Sequence, residues 1–260
     1  MGAQTVVADV ADELARRVVI GELAPGDLMP SVRQVAEEFA MNRATAQLVL
    51  GRLESYGFVD AHRGRGFTVR DVRRAGGVEV YRRLFRLSVP APELAAEMFR
   101  DIVDTERAIV LDALLAYTEN GQGGALPELR ADLEELENLA RAATPDHARL
   151  LAVEVGLVRR LLTELGQDMQ RAVLNSLGEL LSEVPQAVEA HYAVSADLHV
   201  LVWQALLAVW ESGSGPSQAQ LTLFEDLFGM YLEKVVARFE ELVLGAPGAH
   251  EFADSRTATA

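Results

Sequence analysis

There is no cysteine anywhere in the 260 residues. That absence excludes a disulfide framework, a thiolate metal site and a thiol nucleophile. Long apolar runs are missing too. The longest, Leu198 to Trp210, is about ten residues too short for a bilayer, and His199 and Gln204 interrupt it. The opening stretch MGAQTVVADVADEL carries acids early and lacks the basic-then-apolar order of a secretory signal. There is no GxSxG elbow, no phosphate-binding glycine loop and no His–carboxylate pairing at metal spacing, which leaves little from which to build an enzyme. No internal repeat is found. The expectation is a soluble, cytoplasmic, non-enzymatic protein with no membrane partner.

What is present is half apolar and 6% aromatic, ample for ordinary packed cores. The net charge is -15, and it is unevenly spread. Residues 1–75 hold ten arginines against ten acids, while residues 76–260 hold 14 basic residues against 29 acids. Within residues 31–74, eight arginines outnumber five acids. The first region can approach a polyanion that the second would repel.

Periodicity divides the chain in the same place. Residues 5–20 predict a helix with Val7, Val10, Leu14 and Val18 on one face. GELAPGDLMP must be a loop. Ser31 then caps a short helix whose apolar face is Val32, Val35, Ala36 and Phe39. AMN breaks it, and a third helix follows from about residue 43 to 55 with Ala46, Val49, Leu50 and Leu53 turned inward. YGFVDAHRGRGFTV reads as strands Phe58–Ala61 and Phe67–Val69 around a Gly- and Arg-rich turn. Three helices and a hairpin make a winged helix-turn-helix domain over residues 1–75. Beyond Gly76-Gly77 strand signals vanish. Segments 79–88, 92–119, 126–143, 146–165, 168–183, 185–212 and 217–244 carry helical periodicity. Residues 76–245 therefore predict an antiparallel bundle of six or seven helices. Residues 246–260 have no stripe and predict a disordered tail. The fold class is mainly α with a small β-hairpin wing.

Three stretches carry a resemblance: IGELAPGDLMPSVRQVAEEF, MNRATAQLVLGRL and YGFVDAHRGRGFTV. Together they resemble the DNA-binding domain of the GntR family of bacterial transcription regulators over roughly residues 5–70. The all-helical part is similar, at the level of fold, to the FadR-type effector domain. The resemblance implies a homodimer on a palindromic double-stranded operator, acting as a repressor switched by a small metabolite.

In a helix-turn-helix the second helix of the pair lies in the major groove and its N-terminal residues reach base edges. Asn42, Arg43, Thr45 and Gln47 occupy that end. Arginine grips guanine through two hydrogen bonds, glutamine pairs with adenine, and threonine meets a phosphate or a thymine methyl. Arg33 is placed for a phosphate or an outer base. Arg63, Gly64 and Arg65 form the wing tip, where arginines find the negative potential of a minor groove. The family often has a second arginine one turn after the first; Gln47 stands there instead, so the half-site is expected to differ at one base pair.

For the helical domain the resemblance offers two branches. One holds a metal through an Asp and three histidines and senses small carboxylates. Here Glu154 stands where the Asp would be, Val158 where the first His would be, and the last position falls near Met230 or Tyr231. His191 and His199, eight residues apart on one predicted helix, are separated by a rise of about 12 Å. No metal site is expected. The other branch is metal-free and takes a long-chain acyl-CoA, which makes that the candidate effector. Leu198, Leu201, Val202, Leu206, Val209 and Trp210 read as a central core helix. Tyr192, His199 and Gln204 are polar groups within apolar surroundings and need partners, so they are the candidate effector contacts. Gly229 joins them because the acyl-CoA branch has a glycine beside its ligand, although Leu232 replaces a neighbouring serine. Two alternatives stand beside this reading: a metal-dependent carboxylate sensor, and a DNA-binding or interaction module without an effector. A closed bundle with no cavity would favour the latter.

Overall fold

Of the expected stripe, Val7, Leu14 and Val18 turn inward and are buried, while Val10 is half-buried. They lie on α1 (Ala3–Val19), which packs against α3 (Arg43–Ser55) and α5 (Val78–Ser88) in the computed structural model of the chain. That structure describes residues 3–120, 124, 126–213 and 216–245. The expected tail, 246–260, lies outside the described residues.

The chain forms two compact units that divide between Ala95 and Ala96. In the first, α2 (Val32–Glu38) packs on α3, and β1 (Val59–His62) pairs antiparallel with β2 (Gly66–Val69). A single turn, α4 (Val72–Ala75), leads into α5. The core is built from Leu14, Val35, Ala46, Val49, Leu50, Leu53 and Phe58, each fully buried. Ser31 begins α2 with a reciprocal cap: its hydroxyl accepts from the Gln34 amide, and the Gln34 side chain accepts from the Ser31 amide. The sheet gains an edge from the proline-rich loop. Met29 donates its amide to Phe67, Gly26 donates to Val69, and Val69 donates back to Asp27. A loop predicted from Gly and Pro content thus forms an antiparallel bridge, Leu28 opposite Thr68, beside the two-stranded wing.

Helix α5 corrects the domain boundary expected at residues 75/76. Its residues Leu84 and Phe85 are buried in the first unit, and Arg86 reaches Asp12 of α1 at 2.9 Å. Gly76 explains the tight approach just before it. A Cβ there would sit 2.4 Å from the Val72 carbonyl oxygen and 2.9 Å from Val80, so no larger residue fits without movement.

The second unit contains α6 (Pro92–Asn120) from Ala96 onward, α7 (Leu126–Ala140), α8 (His147–Glu164), α9 (Asp168–Ser182), α10 (Pro185–His191), α11 (Ala196–Ser212) and α12 (Gln218–Leu244). Helix α7 packs on α8 and α11, α8 on α9, and α10 on α8, α9 and α12. The bundle of seven helices results from two compensating differences. Segment 79–88 leaves the bundle for the first unit, and segment 185–212, expected as one helix, is two. Helix α10 ends at His191 with Tyr192 as its C-cap, and Ser195 restarts the chain by accepting from the Asp197 amide, with a bend of 60° between the helices. Among the described residues no single helix is long and apolar enough to cross a membrane. Nor is α11 the central core helix: it buries Ala196, Val200, Trp203 and Leu207, while Leu198, Leu201 and Val202 are exposed.

Candidate functional site

Helix α3 begins where Asn42 accepts the Thr45 amide at 2.8 Å through its side-chain oxygen. The same oxygen takes the Thr45 hydroxyl at 3.1 Å. These two members of the expected base-reading edge are therefore engaged with each other. Asn42 has a folding task, satisfying amides that an α-helix leaves open at its start. Arg43 and Gln47 are exposed, one turn apart, and turn outward together.

Those two residues line one side of a groove in the first unit. Arg33 lies at the start of α2 in the same groove, and the far side is the wing tip, Arg63, Gly64 and Arg65. Four arginines and His62 line it and no carboxylate does. Arg33 shares its charge with Glu37 at 3.1 Å, whereas Arg43, Arg63 and Arg65 make no ion pair among the described residues. The tip is a three-residue hairpin loop closed by the Arg65 amide donating to the His62 carbonyl at 3.0 Å. Gly64 and Gly66 adopt φ of +76° and +96°, a backbone region that favours glycine. Arg52 is not part of this surface: its Nε donates to the Tyr56 hydroxyl at 2.5 Å.

The second unit holds a partly open cavity of about 360 Å³ between α6, α8, α11 and α12, with Leu174 of α9 and His191 of α10 completing the wall. This is more than twice the ~150 Å³ apolar cavity that suffices to bind benzene. The wall is mostly aliphatic and aromatic. Its polar members are few: Glu106, Arg107, Glu154, His191, His199 and Lys234, with the Tyr231 hydroxyl and Trp203 indole beside them.

Glu154 is the hub of one polar cluster. His199 Nδ1 lies 2.9 Å from it, the Tyr192 hydroxyl donates at 2.7 Å and the Trp203 indole at 3.3 Å. Burial opposes its charge, but His199 and the surrounding donors prevail and hold the carboxyl below the ordinary carboxylate range. Burial and that nearby carboxylate push the Tyr192 hydroxyl well above its ordinary value, which keeps it a donor. Rings pile up behind the cluster, with His147 stacked on Tyr192 at 4.7 Å and Tyr192 tilted on His199 at 4.9 Å. His191 forms a second cluster: Nε2 is 3.0 Å from Glu106 and Nδ1 is 2.9 Å from the Ala187 carbonyl.

The four expected effector contacts fare differently. His199 lines the cavity. Tyr192 does not reach the wall but supports it from behind through Glu154. Gly229 sits beside Arg107, and a Cβ there would lie 3.4 Å from the guanidinium. Gln204 is exposed and absent from the wall, because Trp203 and Leu207 take the inward face of α11 and Gln204 follows one step round. His191 and His199 also need correcting. The break at 192–195 places them on different helices, where both line one cavity. Among the described residues no group of three or more His, Cys, Asp or Glu could hold a metal ion. Val158, at the position expected to lack a ligand, is part of the apolar wall.

Sequence reasoning missed Glu106 and Lys234. A signal exists in part: Glu106, Arg107, Val110 and Leu114 recur at helical spacing along α6, as do Phe224, Leu227, Phe228 and Tyr231 along α12.

Comparison with known proteins agrees with this geometry. The family described as "Bacterial regulatory proteins, gntR family" matches residues 7–69. Over 81 residues the chain is 36% identical to the HTH-type transcriptional regulator Mce2R of Mycobacterium tuberculosis, covering 31% of this chain and 34% of that protein. Over 163 residues it is 25% identical to a fatty acid metabolism regulator protein of Yersinia pestis, covering 62% of each. The chain thus spans from about a third to somewhat under two-thirds of the curated relatives it matches. Among solved structures it is similar to Lar, which controls the expression of the Listeria monocytogenes agr system and mediates virulence. The TM-score is 0.55 at 13% identity, over 93% of this chain and 98% of that one.

Proposed function

We propose, from the premise that residues 7–69 are a DNA-binding domain of the gntR family, that this protein is a sequence-specific transcription regulator with a ligand-responsive helical domain. One observation carries the reading: a groove walled by the start of α3 and the wing, lined by four arginines and no carboxylate, in a chain of net charge -15. Phosphate neutralisation by such arginines supplies non-specific affinity, and Arg43 with Gln47 supplies base recognition. A homodimer on a palindromic operator completes the proposal, since two-fold operators match two-fold proteins. Repression is the proposed sign of regulation.

The cavity supports a sensor over an effector-less module, because a largely apolar enclosure with a few convergent polar groups is the usual form of a small-molecule site. The finer proposal for the effector is a fatty acyl-CoA. It is supported by the apolar wall and by likeness to a fatty acid metabolism regulator protein over 62% of the chain. Selection of bound sites from a random duplex library, followed by anisotropy titration with and without decanoyl-CoA, tests both parts. A recovered palindrome whose affinity falls on adding the thioester is the expected result. Binding with no sequence preference would overturn the regulator reading, and unchanged affinity would overturn the effector.

A further inference from the structure

Among the described residues, the wall of the cavity has one buried side-chain polar atom without a hydrogen-bond partner. His199 has a side chain only 10% exposed, its Nδ1 faces Glu154, and its Nε2 is buried with no hydrogen bond. Buried polar nitrogens are paired in the great majority of native proteins, so an orphan in a cavity wall calls for a partner from outside the chain. The second histidine of the wall shows what this interior does with an imidazole. His191 lies between two acceptors, Glu106 and the Ala187 carbonyl, and is held charged there. His199 has a partner at Nδ1, in Glu154, and none at Nε2.

Charge points the same way. Two carboxylates line the cavity, each hydrogen-bonded to a histidine, against four basic side chains. This is the reverse of the chain as a whole, where 39 acids outnumber 24 lysines and arginines. Arg107 and Lys234 make no ion pair among the described residues. Lys234 is also the only lysine in the sequence, set on α12 beside the cavity.

We propose that His199, Arg107 and Lys234 make the cavity selective for an amphiphilic anion, whose apolar body fills the space between α6, α8, α11 and α12 while an acceptor oxygen takes a hydrogen bond from Nε2 of the doubly protonated His199 ring. The inference rests on the cavity being the effector site and specifies what that site reads. A free carboxylate brings both the oxygen and the charge. A coenzyme A thioester brings its carbonyl to His199 and its phosphates to Arg107 and Lys234.

Isothermal titration of the full chain with octanoate, octanoyl-CoA, octanol and octylamine separates these cases, because the four share one apolar body. The expected result is binding by one or both anions, at least about 10-fold tighter than the alcohol and the amine, the ordinary worth of a charge-assisted hydrogen bond. Binding by octanoate alone identifies the carboxylate, and by octanoyl-CoA alone the thioester with its phosphates. The sole lysine supplies a reporter. After reductive methylation with isotope-labelled formaldehyde, the Lys234 NMR signal should shift with the anion and stay still with octanol. His199→Asn keeps an amide donor for Glu154 and removes the group at Nε2, so it should lose about 10- to 100-fold in anion affinity while retaining its fold. His199→Gln restores a donor near the Nε2 position and should recover part of that loss. Equal affinity for octanoate, octanol and octylamine would overturn the anion selectivity and leave the cavity standing as the effector site. Unchanged anion affinity in folded His199→Asn would overturn the role of Nε2. No binding by any of the four would overturn this inference and the sensor reading together, with operator binding still measured separately.

Discussion

Glu106 of α6 and His191 of α10 meet at 3.0 Å, with the second imidazole nitrogen 2.9 Å from the Ala187 carbonyl. Both neighbours only accept, so the ring donates from both nitrogens and is an imidazolium. Burial opposes this, yet the carboxylate and the two hydrogen bonds hold the pKa of His191 above the usual imidazole range. A raised folded value means stability that is present in full below the unfolded imidazole value, ~6.5. It is lost as pH climbs through the folded value. Thermal midpoints of the wild-type chain should therefore fall as pH rises from neutrality into the mildly alkaline range. Glu106→Gln should flatten that decline; an equally steep decline in the variant would overturn the assignment.

Glu154 gives the opposite sign. Its folded value is depressed, so its contribution is present above the ordinary carboxylate value and is lost as pH falls through the folded one. Glu154→Leu strips the acceptor from Tyr192, His199 and Trp203 at once. The expected cost is about 3–5 kcal/mol, typical of breaking a buried pair from one side. Urea titration followed by circular dichroism measures it, and a loss below that of an ordinary surface substitution would count against the hub.

These clusters were only partly legible in the sequence. Elements showed clearly because caps and stripes are local: Ser31 before Val35 and Ala36, and Ala46, Val49, Leu50 and Leu53 at helical spacing. The α10–α11 break was visible in principle as Ser195 two residues before Asp197, but the apolar run on either side outweighed it. Partners distant in sequence were not legible. Nothing in the stretch around Glu106 names His191, 85 residues away, and nothing near Arg107 marks it as part of a cavity wall. Gln204 was misplaced for a related reason: where apolar residues surround a helix, periodicity no longer says which side is inward.

On the DNA side, Arg43→Ala should narrow discrimination between operator and random duplex by about 1–3 kcal/mol and relax the preference at its base pair, with non-specific binding retained. Gln47→Arg should instead change the preferred base at one position of each half-site. A binding-selection assay reads both outcomes, and an unchanged consensus with Gln47→Arg would show that Gln47 faces the groove without reading it.

Arg63 and Arg65 lie on glycine-flanked backbone at the wing tip and make no ion pair among the described residues. Replacing either by Ala should lower the slope of log affinity against log salt by about 0.9, the value for one phosphate contact on duplex DNA. Equal slopes in wild type and variants would remove the wing from the interface.

Asn42→Ala should cost about 1 kcal/mol of stability through loss of the cap. Its effect on DNA affinity should be the same for cognate and altered half-sites, and Asn42→Ser should restore both. A change in base preference with Asn42→Ser would show that the side chain reads sequence after all.

That cap also separates two kinds of heritable change. The residue that starts the recognition helix is tied to Thr45 by hydrogen bonds, and the stripe that seats it is wholly interior. Gln47 takes part in neither. On the proposed reading of Gln47 as a base contact, a substitution there would retarget the protein to different DNA sites with little penalty to folding, so a lineage would change its targets through single mutations that leave the scaffold intact.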